Sequence, residues 1–282
     1  QQIFSQPGTK NPPSLIAAGG YGRRELNLES DIDLLLLMPE KAGRQEKQLT
    51  EDFIRFCWDI GLKVGHSTRT QKECIKIASR DLTVITNLME TRLVHGNVGA
   101  FDLLQEKLRQ KKIWPADRYF KDKVKEQESR HLHFSDTAYN LEPNIKESPG
   151  GLRDLHMISW VANRYFGTGD FAELVQHRYL TGQEYRTLIK GRDFLWRLRN
   201  GLHILAGRCE DRLLFDYQRD LAIQLGFRDG PNHMAIEQMM KRYYRTVKEI
   251  QLLNEIALQH FEEAILSKRT PRAKKINARF NA

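Results

Sequence analysis

The sequence predicts an α+β chain: short strands and helices alternate through the first hundred or so of its 282 residues, and helices alone follow. Three features lead to this reading. Residues 31–38 (Asp-Ile-Asp-Leu-Leu-Leu-Leu-Met) hold a short apolar run closed by Pro39, the pattern of a buried strand. Residues 62–69 alternate weakly in polarity, a second strand pattern. From Ala100 onward apolar residues recur at helical spacing, most clearly Met239, Tyr243, Val247, Ile250, Leu253 and Ala257.

Taken in order, residues 14–38 read as strand, glycine turn, short polar connection and second strand. A helix is expected over 45–60, where Leu49, Phe53, Phe56, Cys57 and Ile60 recur at helical spacing and Gly61 supplies the stop. After the strand at 62–69 come helices over 71–78 and 81–89, the second with Asp81 near its start as a favourable cap, and a short strand at 91–94. Helices follow over 101–112, 116–139, from about 152, and over 181–205, 217–225 and 233–266. Two domains are expected: a mixed core over 1–113 and a helical domain over 114–282 that ends in a basic tail.

Residues 14–38 hold the chemistry. Asp31 and Asp33 are two apart, so on a strand they share a face. Paired carboxylates at the edge of an apolar strand repel unless a cation lies between them. Oxygen ligands of this kind suit Mg²⁺, which takes one or two carboxylates together with substrate phosphates. Gly19, Gly20 and Gly22 let backbone N–H groups approach a phosphate, and Arg23 and Arg24 add charged donors. A phosphate cradle beside metal carboxylates points to transfer of a nucleotide from a triphosphate.

A Gly-Gly turn followed about a dozen residues later by Ser30-Asp31-Ile32-Asp33 and a Leu-rich strand resembles the DNA-polymerase-β-like nucleotidyltransferase superfamily. More closely, residues 19–37, 61–70 (Gly-Leu-Lys-Val-Gly-His-Ser-Thr-Arg-Thr), 144–154 (Asn-Ile-Lys-Glu-Ser-Pro-Gly-Gly-Leu-Arg-Asp) and 194–226 resemble, in order, the bacterial bifunctional uridylyltransferase/uridylyl-removing enzymes that modify the PII nitrogen-signalling protein. The resemblance implies a small mixed-sheet polymerase-β-like core followed by an all-helical domain beside the active site. It implies transfer of UMP from UTP to a PII tyrosine with release of pyrophosphate. Asp31 and Asp33 would bind Mg²⁺, Gly19, Gly20, Gly22 and Arg23 would bind phosphate, and Ser30 would orient an aspartate or a phosphate. The superfamily usually carries a third carboxylate on a neighbouring strand, yet 62–69 has no acid. Asp81 and Glu90 are the candidates, with a helix cap and a surface acid as the alternative readings. In the helical domain, Lys146 and Arg153 are candidates to face the triphosphate, against an ordinary interhelical linker.

Composition narrows the classes. Cys57, Cys74 and Cys209 are widely spaced, which suggests neither a disulfide framework nor a zinc site. No stretch is apolar enough to span a membrane, and the Pro-containing first thirteen residues are unlike a signal peptide; a cytoplasmic protein is expected. The net charge is +9, but Lys268, Arg269, Arg272, Lys274, Lys275 and Arg279 supply six of those charges, so the body is nearly balanced and a nucleic-acid partner is not expected. His131 and His133 flank Leu132 and read as surface residues. Arg192 and Arg199 read as salt-bridge partners for Glu210, Asp211 and Asp216. The His-Asp metal motif of the uridylyl-removing domain does not occur, so a fragment or short relative without the removing and glutamine-sensing domains is expected. Three rival readings remain: an adenylyltransferase acting on glutamine synthetase, a catalytically silent module that binds nucleotide or PII, and a nucleic-acid-directed nucleotidyltransferase.

Overall fold

The computed structural model describes residues 12–134 and 141–266. The basic tail and the first eleven residues lie outside the described residues. In chain order the elements are β1 (Ser14–Ala17), α1 (Gly19–Gly22), β2 (Ile32–Met38), α2 (Arg44–Asp59), β3 (Val64–Thr70), α3 (Gln71–Ala78), α4 (Leu82–Met89), β4 (Arg92–His95) and α5 (Val98–Arg109). Then come α6 (Ala116–His133), α7 (Leu152–Phe166), α8 (Phe171–Gln176), α9 (Gly182–Ala206), α10 (Phe215–Gln224) and α11 (Ala235–Leu266). The α+β class is as expected. The helix expected over 116–139 is described to His133, and α8 was not foreseen: with six residues it is too short to show a period.

The described chain divides into two compact units. The first holds residues up to Pro115 together with Leu141–Ile145 and Phe194–Met240. The second holds Ala116–Asn140, Lys146–Asp193 and the chain from Lys241. The first unit thus includes two segments from the region read as the helical domain, and α9 and α11 each contribute to both units.

The first unit is built on a four-stranded mixed sheet in the order β3-β2-β1-β4. β1 pairs antiparallel with β2, Ser14 opposite Leu37 and Ala17 opposite Leu34, and antiparallel with β4. β2 and β3 run parallel, which requires a crossover; α2 provides it. Leu34–Met38 are all buried, because the central strand is covered on both faces. Residues 143–145 join this unit by pairing with 211–213: Ile145 N–H donates to Asp211 O at 2.8 Å, and Leu213 N–H to Pro143 O at 2.9 Å.

The second unit packs apolar helix faces around Tyr119, Ile158, Leu188, Tyr243 and Phe261. Its polar centre is Asp154, fully buried at the start of α7. The Asp154 carboxylate accepts from Gly150 N–H at 2.7 Å, from Gln127 Nε2 at 2.9 Å and from Arg130, and His131 Nε2 lies 2.9 Å from it. His131 is therefore largely buried against Asp154 and is not a surface residue; His133, two residues on and about 200° round the helix, is exposed. A Cβ at Gly150 would lie 2.0 Å from Val247 O, so the Pro-Gly-Gly stretch lets the loop before α7 touch the backbone of α11.

Candidate active site

The pairing of β1 with β2 brings the glycine turn over the start of β2. Ala18 N–H donates to Asp33 O at 2.9 Å, so the chain leaves β1 opposite Asp33. Gly19 then takes a φ of +52°, in the left-handed region that favours glycine. A Cβ at Gly19 would lie 2.5 Å from Asp33 Oδ2. On the other side Asp33 faces Gly65 of β3 in parallel register, and a Cβ there would lie 2.9 Å from Asp33 Oδ1. The Asp33 carboxylate is thus set between two glycines that admit it only because neither carries a side chain. Asp31 stands exposed just ahead of β2, two residues away, the spacing that places both acids on one face of an extended chain.

Asp33 lines a cavity of about 320 Å³ whose wall includes His66, Ser67 and Arg69 of β3 and Thr83 and Asn87 of α4. The cavity therefore brings together the Asp33 carboxylate, a guanidinium, two hydroxyls, an imidazole and an amide, with Asp31 two residues from Asp33 in the chain. Two acids, both offering oxygen donors, fit a hard divalent cation such as Mg²⁺, and Arg69 and Ser67 suit the anionic oxygens of a phosphate.

The residues expected to bind phosphate have other partners as well. Gly19 N–H donates to Asn87 Oδ1 at 2.9 Å, and Gly22 N–H to Ala18 O at 2.9 Å. Gly20 stands between them in the one-turn α1. A Cβ at Gly22 would lie 2.4 Å from Glu90 O, so this glycine serves close packing. Arg23 is mostly buried, its Nε 2.9 Å from Glu25 and its Nη1 2.6 Å from Glu90. Burial works against its charged form, but Glu90 and Glu25 more than offset this and hold the Arg23 pKa above its ordinary value. Arg23 clamps the turn to the end of α4. Ser30 N–H donates to Asn27 O at 3.1 Å, closing the bend just before Asp31.

The two acids considered as a third carboxylate each have a partner within the first unit. Asp81 Oδ1 accepts from Val84 N–H at 3.0 Å and caps α4. Glu90 is no surface acid: its side chain is 7% exposed and pairs with Arg23. In the second unit, Lys146 and Arg153 flank Glu147 at 3.8 and 3.2 Å, and Arg153 also lies 5.5 Å from the Trp160 ring centre. Among the described residues, Gly65, Ser67, Arg69, Thr83 and Asn87 are site features that sequence reasoning missed. A glycine inside a strand signals close approach and could have marked position 65; a lone amide on an otherwise apolar helix was the only hint of Asn87.

A glycine turn laid on an Asp-x-Asp strand beside a polar cavity is the arrangement of a nucleotidyltransferase. Comparison with known proteins agrees and goes further. Residues 118–258, half of the chain, match the family model described as GlnD PII-uridylyltransferase. Proteins named bifunctional uridylyltransferase/uridylyl-removing enzyme are 47% identical in Methylococcus capsulatus and 51% in Nitrosococcus oceani, each over 90% of this chain. The one from Azotobacter vinelandii is 47% identical over 95% of the chain. The chain belongs to the GlnD PII-uridylyltransferase family. It spans 28–30% of the length of these three relatives. Among the described residues no helix is long and apolar enough to cross a membrane.

Proposed function

We propose that this chain catalyses transfer of UMP from UTP to a tyrosine hydroxyl of a PII signalling protein in the bacterial cytoplasm. The observation that carries the reading is the setting of Asp33: it sits between Gly19 and Gly65, lines a cavity of about 320 Å³, and lies two residues from a second carboxylate. The family and its relatives' names support the uridylyl group and the PII acceptor.

Asp31 and Asp33 would hold Mg²⁺. Bound there, it would supply positive charge against the triphosphate and the departing pyrophosphate. The chain's own residues orient the substrates. Arg69 and Ser67 donate to phosphate oxygens from β3, and Asn87 fixes the glycine turn against Asp33. The tyrosine oxygen attacks the α-phosphorus as the bond to pyrophosphate breaks, and its proton passes to solvent or to a nearby carboxylate. A tyrosine hydroxyl ionises only near pH 10 unaided, so contact with the metal or a nearby carboxylate acting as base must help it lose its proton.

The test is transfer of labelled UMP from UTP to purified PII with Mg²⁺, comparing the chain with Asp31→Asn/Asp33→Asn. Label that falls by a factor of at least about 100 in the double variant supports the reading, since several kcal/mol of charge stabilisation are removed. Binding of UTP without transfer would mean a silent binding module. Label from ATP in place of UTP would keep the nucleotidyltransferase and overturn the substrate.

A further inference from the structure

The connection between the glycine turn and Asp31 is held from outside the sheet by the C-terminal part of α9. Leu28 N–H donates to Asn200 Oδ1, and Glu29 N–H donates to His203 Nδ1, both at 3.3 Å. His203 is 1% exposed. Its Nε2 lies 3.2 Å from Asp211 Oδ1, and Arg199 grips Asp211 through Nε at 2.6 Å and Nη2 at 3.2 Å. The Arg199–Asp211 pair is one expected from the sequence; the imidazole between Asp211 and the loop is not. From the other side, Lys63 Nζ holds the Glu29 carboxylate at 2.8 Å, and Lys63 O accepts from Ile32 N–H at 2.8 Å. Asp31 lies between these two anchors.

His203, Cys209 and Asp211 stand within 4.8 Å of one another, near enough to suggest a metal site. The hydrogen bonding argues otherwise. A backbone N–H can only donate, so Nδ1 must accept and the ring proton is on Nε2, where it faces Asp211. A metal on Nε2 would need that proton removed and would compete with Arg199 for Asp211. The arrangement is a relay of hydrogen bonds from Arg199 through Asp211 and His203 to the Glu29 amide.

We infer that His203 is a positioning residue of the transfer reaction: oriented by Asp211, it fixes residues 28–30 and thereby sets Asp31 beside Asp33. The inference rests on the reading of Asp31 as a working carboxylate. Its placement has a physical need. Asp31 precedes β2 and lacks the ladder that fixes Asp33, so its aim depends on the loop, and partners one step removed from a ligand commonly change affinity or activity 10–100-fold.

The test compares His203→Asn with His203→Gln in the full chain. The Asn amide oxygen falls where Nδ1 was and keeps the acceptor for Glu29. The Gln amide falls where Nε2 was and keeps only the link to Asp211. Two readouts are taken: hydrogen exchange of the 27–31 amides, and kcat and KM for UTP in UMP transfer. His203→Asn is expected to retain the wild-type exchange and kcat to within about threefold, and His203→Gln to show at least about tenfold faster exchange and tenfold lower kcat with little change in KM. Equal behaviour of the two variants, or a loosened loop with unchanged kcat, overturns the inference. If the wild-type chain transfers no UMP, the proposed function fails, and the exchange comparison still decides whether His203 holds the loop.

Discussion

The backbone of Gly19 and the carboxylate of Asp33 are so close that a Cβ at position 19 would lie 2.5 Å from Asp33 Oδ2. The turn and the acid are one construction. Gly19→Ala must strain the φ of +52°, at a cost of about 1–2 kcal/mol, and push the carboxylate aside. We expect a melting temperature a few degrees lower but UMP transfer reduced by about 100-fold or more, because misplacement near the reacting groups costs more than the fold loses. A thermal melt alongside the transfer assay reads both; equal losses in the two would show that the contact matters only for folding.

Gly65→Ala tests the other side of the same carboxylate. A Cβ there meets Asp33 Oδ1 at 2.9 Å, at ordinary strand geometry, so the flexible end of Asp33 must give way. Stability should change by less than about 1 kcal/mol, while Mn²⁺ affinity, followed by water-proton relaxation, should weaken by about tenfold or more.

Removal of Asp154 should unmake the second unit. Its buried carboxylate accepts from Gly150 N–H, Gln127 and Arg130. Asp154→Ala leaves Arg130, 10% exposed, without its main partner; a loss of about 3–5 kcal/mol is expected in denaturant unfolding. Asp154→Asn, which keeps some acceptors, should lose less.

The three thiols should separate by burial. Cys209 is exposed, whereas Cys57 and Cys74 are buried. One thiol per chain should react rapidly with a disulfide reagent at pH 8, and the other two only on unfolding. Burial pushes the Cys74 thiol up to about 11 from 9.0. The native state holds this proton more tightly than the unfolded one, so the contribution to stability is complete below pH 9 and is lost as pH rises to 11. Melting temperatures across that range should fall, and less steeply in Cys74→Ala.

Much of this was legible in the sequence. The strands β1 to β4 follow from apolar runs and alternation, and Asp81 caps α4 as its residue type suggests. Of the pairings considered for Arg192 and Arg199, Arg199 meets Asp211, whereas Arg192 lies 3.0 Å from its neighbour Asp193. The further uses of the glycines and of Arg23 were not. A glycine turn reads the same whether its amides face a phosphate or a neighbouring side chain, and only Asn87, 68 residues on from Gly19, decides that one of them is internally bonded. Glu90 reads as an ordinary surface acid until the fold sets it against Arg23.

The sequence by itself determined most of the element order, the α+β class and the pair Asp31 and Asp33, because periodicity and the i, i+2 rule of a strand are local properties. The tertiary structure alone decided what surrounds that pair: Gly65 by parallel strand register, Asn87 by the packing of α4, and His203 by the return of α9 to the first unit. Hydrogen bonds and close contacts between residues far apart in the chain depend on distances that no local pattern encodes.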